Sequence, residues 1–135
     1  MKTAITVLFL ALLAAPVQAQ SIDPSRYAAV AYSLKTGSYG YAWDHSSRFS
    51  AERTALANCR GSDAKVLTWT RFGYIVLLIA EDGAYGVGEV HGAGVSSAQA
   101  YDRAFAHLRK HTKSRIKTAV RVCSGDVPPR VVKAD

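Results

Sequence analysis

The 135-residue sequence lacks the residue patterns that mark the common enzyme classes. No serine stands in a Gly-x-Ser-x-Gly elbow, and the glycines match neither a Walker A loop nor a dinucleotide-binding fingerprint. His107 and His111 have the spacing of a zinc-binding helix, but the glutamate of His-Glu-x-x-His is absent and Arg109 and Lys110 would repel a cation. The sequence therefore predicts no catalytic residue, no metal site and no cofactor.

Long apolar runs are scarce, and the one at the start of the chain is too short to span a bilayer. Ala4–Ala15 is an apolar run of about 12 residues, whereas a membrane-spanning helix needs about 20. It follows Lys2 and precedes the small-x-small site at Val17-Gln18-Ala19, which is the order found in secretory signal peptides. We expect a signal peptide at 1–19 that is cleaved after Ala19, a periplasmic or secreted mature protein, and no transmembrane segment.

Cysteine is also rare, since only Cys59 and Cys123 are present and they do not form a Cys-x-x-Cys redox motif. In an exported protein these two residues can form one intramolecular disulfide. Such a bridge would close a loop of roughly 65 residues and add about 4 kcal/mol to the free energy of unfolding if its geometry is unstrained. We expect this bridge, with free buried thiols or a reactive thiol as the alternatives.

The charges that are present are mostly basic, with 17 Lys and Arg against 10 Asp and Glu and a net charge of +7. Such a chain is attracted to anionic surfaces. The predicted second helix and the loop after it hold a basic face: Arg103, His107, Lys110, Lys113 and Arg115. This face is either an ordinary solvated surface or a binding surface for an acidic protein, an anionic envelope polymer or lipid. Nucleic acid is a less suitable partner because no aromatic residues interleave the basic run.

Two similar stretches, TGSYGYAW at Thr36–Trp43 and DGAYGVGE at Asp82–Glu89, indicate an internal repeat. Each is predicted to be the second strand of a hairpin, followed by a helix and another strand. The predicted strands are 27–33, 38–44, 65–70, 74–80, 84–90 and 116–123, and the predicted helices are 50–59 and 94–110. The expected fold is therefore α+β, with two β-β-α-β units at 27–70 and 74–123 and antiparallel sheets packed by two helices. We expect one domain over 20–124 and a flexible C-terminal tail at 125–135.

The second helix is the clearest element of the sequence. Ser96 and Gln99 fit a capping box, in which each side chain pairs with a backbone N–H at the start of the helix. Its expected apolar stripe is Ala98, Tyr101, Phe105 and Leu108. The glycines inside the predicted strands, at 40, 86 and 88, require a reason, because glycine weakens a strand. Close packing of a helix and a groove where a ligand approaches the backbone are the two explanations.

Aromatic residues and histidines provide a second set of candidate binding residues. Trp69, Arg71 and Tyr74 flank the predicted link between the two units, and these residue types dominate interface hot spots. His45 and His91 follow the two second hairpin strands, beside Asp44 and Glu89. A carboxylate next to a histidine can tune a general base. The alternatives are core packing for the aromatic residues and solvent-exposed loops for the histidines.

The sequence resembles the bacterial domain-of-unknown-function family 4189 over about Tyr27 to Ser124. The motifs that carry the resemblance are Tyr-Gly-Tyr-Ala, Ala-Glu-Arg-x-Ala-Leu-x-x-Cys, Asp-Gly-Ala-Tyr-Gly and Val-Cys-Ser. The resemblance implies a small exported protein without assigned chemistry, and it supplies no catalytic residues. Members of the family usually hold further cysteines near the positions of Ala64, Tyr74 and Ile116. These are absent here, so the resemblance implies that Cys59 and Cys123 could lack their former partners.

These observations together predict a non-catalytic binding module. The expected partner is a protein, with an inhibitor or immunity-type role toward a hydrolase. A basic protein that binds anionic envelope polymers or lipids, and a secreted effector, are the alternatives.

Overall fold

The computed structural model describes residues 25–134, so the predicted signal peptide at 1–19 and its cleavage site after Ala19 lie outside the described residues. The chain has an α+β fold with two antiparallel sheets and two helices, as expected. Neither helix within 25–134 has the length and hydropathy needed to cross a bilayer. The elements are β1 (Tyr27–Tyr32), β2 (Tyr39–His45), α1 (Arg48–Ala57), β3 (Lys65–Arg71), β4 (Gly73–Ala80), β5 (Tyr85–His91), α2 (Ser97–Arg109), β6 (Ile116–Cys123) and β7 (Arg130–Lys133).

The two sheets pack face to face, and each helix covers an outer face. Sheet A has the strand order β2-β1-β3 and sheet B the order β5-β4-β6-β7. Alternate residues of the strands point to opposite faces, so one set forms the core between the sheets. That core is Ala28, Val30, Tyr32, Ile75, Leu77, Ile79, Val120 and Val122. The layers are therefore α1, sheet A, sheet B and α2.

Small residues allow both helices to lie directly on the sheet backbone. Gly40 lies under α1 and Gly86 under α2, where an added Cβ would be 2.1 Å from the Ala55 carbonyl oxygen and 2.2 Å from that of Ala104. The strand glycines are thus explained by close helix packing. The buried residues of the helices are Ala51 and Ala55 in α1, and Ala100, Ala104 and Leu108 in α2.

This packing makes the expected apolar stripe of α2 wrong except at Leu108, which is buried. Tyr101 and Phe105 are 41% and 39% exposed, and their rings stack on each other at 6.2 Å between centroids. Their side chains are too large for a helix in contact with glycine, and alanines therefore face the sheet. The capping box of Ser96 and Gln99 is confirmed.

The C-terminal segment contains a strand, which corrects the expectation of a flexible tail at 125–135. Residues Arg130–Lys133 form β7 and pair with β6 in antiparallel register, with Val131 opposite Val120. Val131 packs against the core between the sheets. The apolar residues of this segment therefore have a partner, namely the edge of β6.

The expected disulfide is wrong, because Cys59 and Cys123 are free and buried. Cys59 packs under α1 on the outer face of sheet A, whereas Cys123 ends β6 in sheet B. Ala64 packs against the cluster that holds Cys59, and Tyr74 is the register partner of Cys123. Two of the positions near which the resemblance implies further cysteines therefore lie beside the two cysteines of this chain.

The register makes a new disulfide possible at Tyr74. In the variant Tyr74→Cys we expect an oxidised bridge to Cys123, because directly opposed residues of antiparallel strands have closely spaced Cβ atoms. The oxidised variant should exceed its own reduced form by about 2–4 kcal/mol in the free energy of unfolding. Thiol titration in denaturant and urea unfolding measure the two effects. Tyr74→Ser is the matched control, and two titratable thiols in air-oxidised Tyr74→Cys in addition to Cys59 would contradict the expectation.

Candidate binding site

A groove of about 860 Å³ runs along the outer edge of β2. Its aromatic wall is a row on one face of the strand: Tyr39, Tyr41 and Trp43, with ring centroids 6.4 and 6.1 Å apart. Trp43 is 37% exposed, and the two tyrosines are partly buried against the core between the sheets. The remaining lining residues are Thr36, Ser38, Gly40, Asn58, Arg60 and Lys133.

The backbone of β2 turns hydrogen-bonding groups toward this groove. The N–H of Ser33 donates to Ser38 O at 2.9 Å, which fixes the alternation of hydrogen-bonded pairs along the β1–β2 ladder. Gly40 therefore faces β1, whereas the N–H and C=O groups of Tyr39 and Tyr41 point away from it. Within the described chain, sheet A has no strand beyond β2. The edge is thus available, apart from an Asn58 amide 3.4 Å from Tyr41 O.

The corresponding edge of β5 is closed by side chains of α2. The N–H of Val87 donates to Nδ1 of His107 at 3.0 Å, and Nη1 of Arg103 donates to Glu89 O at 2.8 Å. His107 also packs against Tyr85, with 5.9 Å between ring centroids. Two residues of the predicted basic face therefore occupy the β5 backbone.

The other members of the predicted basic face lie further along the chain. Lys110 ends α2, and Lys113 and Arg115 lie in the loop before β6, all three exposed. The structure thus divides the expected face into two helix residues that contact β5 and three exposed cations.

The predicted aromatic and histidine residues meet only in part, at the end of sheet A opposite the β1–β2 turn. The Trp69 ring lies 5.6 Å from that of His91 and 6.1 Å from that of Tyr27, and the Arg48 guanidinium lies 4.4 Å above it. Arg71 lies over Tyr27 at 5.7 Å. The sequence analysis did not include Tyr27 and Arg48 in this cluster.

His45 and Tyr74 have different surroundings. Nδ1 of His45 is 2.7 Å from the hydroxyl of Ser50, and the neighbouring Asp44 carboxylate instead pairs with Arg26 at 3.4 Å. Tyr74 packs against the cluster beneath α2, away from Trp69. Asp44 and His45 therefore contact different neighbours, so the alternative in which this carboxylate tunes the adjacent histidine is not formed.

The shifted pKa values of two cysteines and two aspartates are explained by burial and by hydrogen bonds within the fold. Burial raises the pKa of the Cys59 thiol and of the Cys123 thiol, which keeps both protonated and weakly nucleophilic at neutral pH. Hydrogen bonds from Ser33 and Thr112 lower the pKa values of Asp63 and Asp82, respectively. Among residues 25–134, no three His, Cys, Asp or Glu side chains are grouped so as to hold a metal ion.

The β2 groove was not predicted, although the sequence contains a signal for it. Tyr39, Tyr41 and Trp43 alternate with small residues, so one face of a strand had to carry all three rings. That this strand lies at a sheet edge depends on strand order, which the pattern does not reveal.

The chain is a small α+β domain in which side chains of α2 cap the edge of β5, whereas the edge of β2 borders a groove. A model of the family described as "Domain of unknown function (DUF4189)" matches residues 27–123, and the chain belongs to this family. Three curated relatives are 44% identical over 75 residues, covering 53% of this chain and 57% of each relative. They are Protein Mb1300c of Mycobacterium bovis, and Protein MT1307 and Protein Rv1269c of Mycobacterium tuberculosis. The chain thus spans little more than half the length of these relatives, and no solved structure matches it.

Proposed function

We propose that the protein is an exported, non-catalytic binding module that docks a protein partner at the edge of β2, in an inhibitor or immunity-type role toward a hydrolase. The contrast between the two strand edges carries this proposal. An unpaired edge is a template for pairing with another chain, and folded proteins commonly block such edges. Here β5 is blocked by His107 and Arg103, while β2 offers its backbone beside a row of aromatic rings, apart from the Asn58 amide 3.4 Å from Tyr41 O. Strand addition to an open edge is an established mode of peptide recognition.

We further propose that the two β-β-α-β units are copies of one unit. Supporting this, Gly40 approaches Ala55 O and the backbone nitrogen of Cys59, and Gly86 approaches Ala104 O and that of Leu108. Each glycine thus lies under two residues that are four apart, of which Cys59 follows α1 and the other three belong to the helices. In this correspondence, Thr54 of α1 and Asn58, the residue that caps the end of α1, are the equivalents of Arg103 and His107 of α2.

The correspondence suggests a variant that closes the β2 edge. In Thr54→Arg/Asn58→His, the introduced side chains should reach the backbone of β2 as Arg103 and His107 reach that of β5. We expect this double variant to retain at least tenfold less of the partner than the parent protein does. Immobilised protein is incubated with envelope and culture extracts at about 0.15 M and about 0.5 M salt, and the retained protein is quantified by mass spectrometry. Electrostatic capture alone weakens at the higher salt, where the Debye length is shorter.

The matched control is the reverse exchange, Arg103→Thr/His107→Asn, which opens β5 and leaves the β2 groove unchanged. It should retain the same partner as the parent protein. Equal retention by the edge-closed variant would contradict docking at β2. Recovery of only polymer or lipid, lost at the higher salt, would instead favour the exposed cations Lys110, Lys113 and Arg115 as the working surface.

A further inference from the structure

The two sheets differ by one strand, and the missing position lies at the β2 groove. β1 lies over β4 and β6, β2 beside β6, and β3 beside β5. Sheet B continues past β6 to β7, whereas sheet A ends at β2 within residues 25–134. Neighbouring strands are about 4.8 Å apart, so one more strand at the edge of β2 would lie above β7. Lys133 of β7 lines the groove together with β2, in agreement with this position.

The groove has a basic rim. Its charged lining residues are Arg60 and Lys133, and none of the described residues that line it is acidic. The backbone of Arg60 is fixed beside β2, because its N–H donates to Ser38 Oγ at 2.9 Å and its carbonyl accepts from Thr36 Oγ1 at 2.6 Å. Its exposed side chain therefore starts from a fixed point at the rim.

The charge of the rim selects among possible occupants. A second copy of this chain would bring its own Arg60 and Lys133 to the same edge, and the chain carries a net charge of +7. Like charges brought together disfavour such an association. An acidic segment of another protein has the complementary charge.

We propose that the groove receives an extended, carboxylate-bearing segment of a partner protein as a fourth strand of sheet A. The inference rests on the proposed function and specifies its ligand. Backbone hydrogen bonds to Tyr39 and Tyr41 provide the pairing, and alternate side chains of the segment meet the aromatic row. Its carboxylates meet Arg60 and Lys133, which sets the preference for acidic segments.

The test attaches the segment to the protein itself. Three full-length variants carry, after Asp135, a flexible Gly/Ser linker and seven residues, the length of β2, in which Val alternates with Glu, Gln or Lys. Tethering provides an effective concentration in the millimolar range, so a weak segment can still be detected. Hydrogen exchange of the Tyr39 and Tyr41 amides reports backbone pairing. We expect the Val-Glu variant to slow this exchange at least tenfold, the Val-Gln variant less, and the Val-Lys variant not at all.

A charge exchange serves as the matched control. In Arg60→Glu/Lys133→Glu the order should reverse, with the Val-Lys segment giving the protection. Equal protection by all three segments would overturn the acidic preference and leave docking at β2 in place. Protection by none would overturn strand addition, and the extract experiment with Thr54→Arg/Asn58→His would then decide separately whether a partner docks at this edge.

An anionic glycan is the competing occupant, and hydrogen exchange at the Tyr39 and Tyr41 amides distinguishes it from a protein segment. Oligogalacturonate is titrated into the protein without an extension, and tryptophan fluorescence is followed. We expect no change that depends on Trp43. A fluorescence change that is lost in Trp43→Ala, without slowed exchange at Tyr39 and Tyr41, would identify a glycan that stacks on the rings and would overturn the proposal.

Discussion

Replacing Gly73 with alanine is expected to lower the free energy of unfolding by about 4 kcal/mol or more. Losses of this size are exceptional for single substitutions and arise from causes such as overpacking. A Cβ at this position would lie 1.7 Å from the carbonyl oxygen of Val90 and 2.7 Å from Oγ1 of Thr70. These atoms are held in place, because the Thr70 hydroxyl donates to the same carbonyl at 2.9 Å. Gly73 is fixed as well, since its N–H donates to the hydroxyl of buried Ser124 at 3.0 Å. The chain crosses between the two sheets here, so neither side can move away.

Gly83→Ala is the matched control for this substitution. Gly83 lies in the β4–β5 turn with φ of +88°, and a Cβ there would meet no atom within 4 Å. Only the positive φ opposes alanine, at a cost of roughly 1–2 kcal/mol. Urea unfolding followed by circular dichroism measures both variants. Similar losses in the two would mean that the crossover at Gly73 can relax.

Tyr32→Ala is expected to lower the free energy of unfolding by about 4 kcal/mol, because it empties a large site between the sheets. Tyr32 is 1% exposed, and its ring contacts that of Tyr85 edge-on with 5.2 Å between centroids. Its hydroxyl donates to Gly83 O at 2.8 Å, which joins sheet A to the β4–β5 turn of sheet B. Tyr32→Phe removes this hydrogen bond alone and should cost about 1 kcal/mol. Tyr101→Ala removes a ring from an exposed face of α2, so it should lower the free energy of unfolding by less than Tyr32→Ala does.

Tyr32 is also expected to make the free energy of unfolding decrease at alkaline pH. Burial, reinforced by Tyr85, raises the pKa of Tyr32 above its ordinary value of about 10. The folded state therefore holds the neutral phenol, and stability is complete below pH of about 10 and decreases as the pH rises toward the raised pKa. Unfolding titrations between pH 8 and pH 11 should show a shallower decrease in Tyr32→Phe. An identical decrease in both proteins would assign the decrease to groups other than Tyr32.

The periodicity of the sequence was sufficient to predict most of the elements. The strand at 116–123 begins and ends as expected, and the capping box at Ser96 was correct. The buried face of α2 was predicted correctly only at Leu108, because hydrophobicity favours Tyr101 and Phe105 over alanine. The reason for the alanines lies in Gly86, a residue that is close to them only in the folded chain.

The candidate site depended more strongly on tertiary structure. In the sequence, nothing distinguishes His107 and Arg103 from other basic residues. Only the placement of α2 beside β5 brings them to the strand backbone, which they bind. The separation of Cys59 from Cys123 has the same origin, because Cys59 packs beneath α1 on sheet A, whereas Cys123 ends a strand of sheet B. Sequence spacing contains neither the order of strands in a sheet nor the length of its open edge.

The direct contact of helix and strand backbones limits how this fold can vary. Across the core between the sheets, a larger side chain on one strand can be offset by a smaller one on the facing strand, because total volume is what must be conserved. Beneath the helices no such exchange exists. At Gly86 the two nearest opposing atoms are main-chain atoms, the carbonyl oxygen of Ala104 and the nitrogen of Leu108, so a change of the facing side chains leaves these closest contacts in place. Second-site suppressors should therefore arise for changes at Leu77, within the core, and be absent for changes at Gly86.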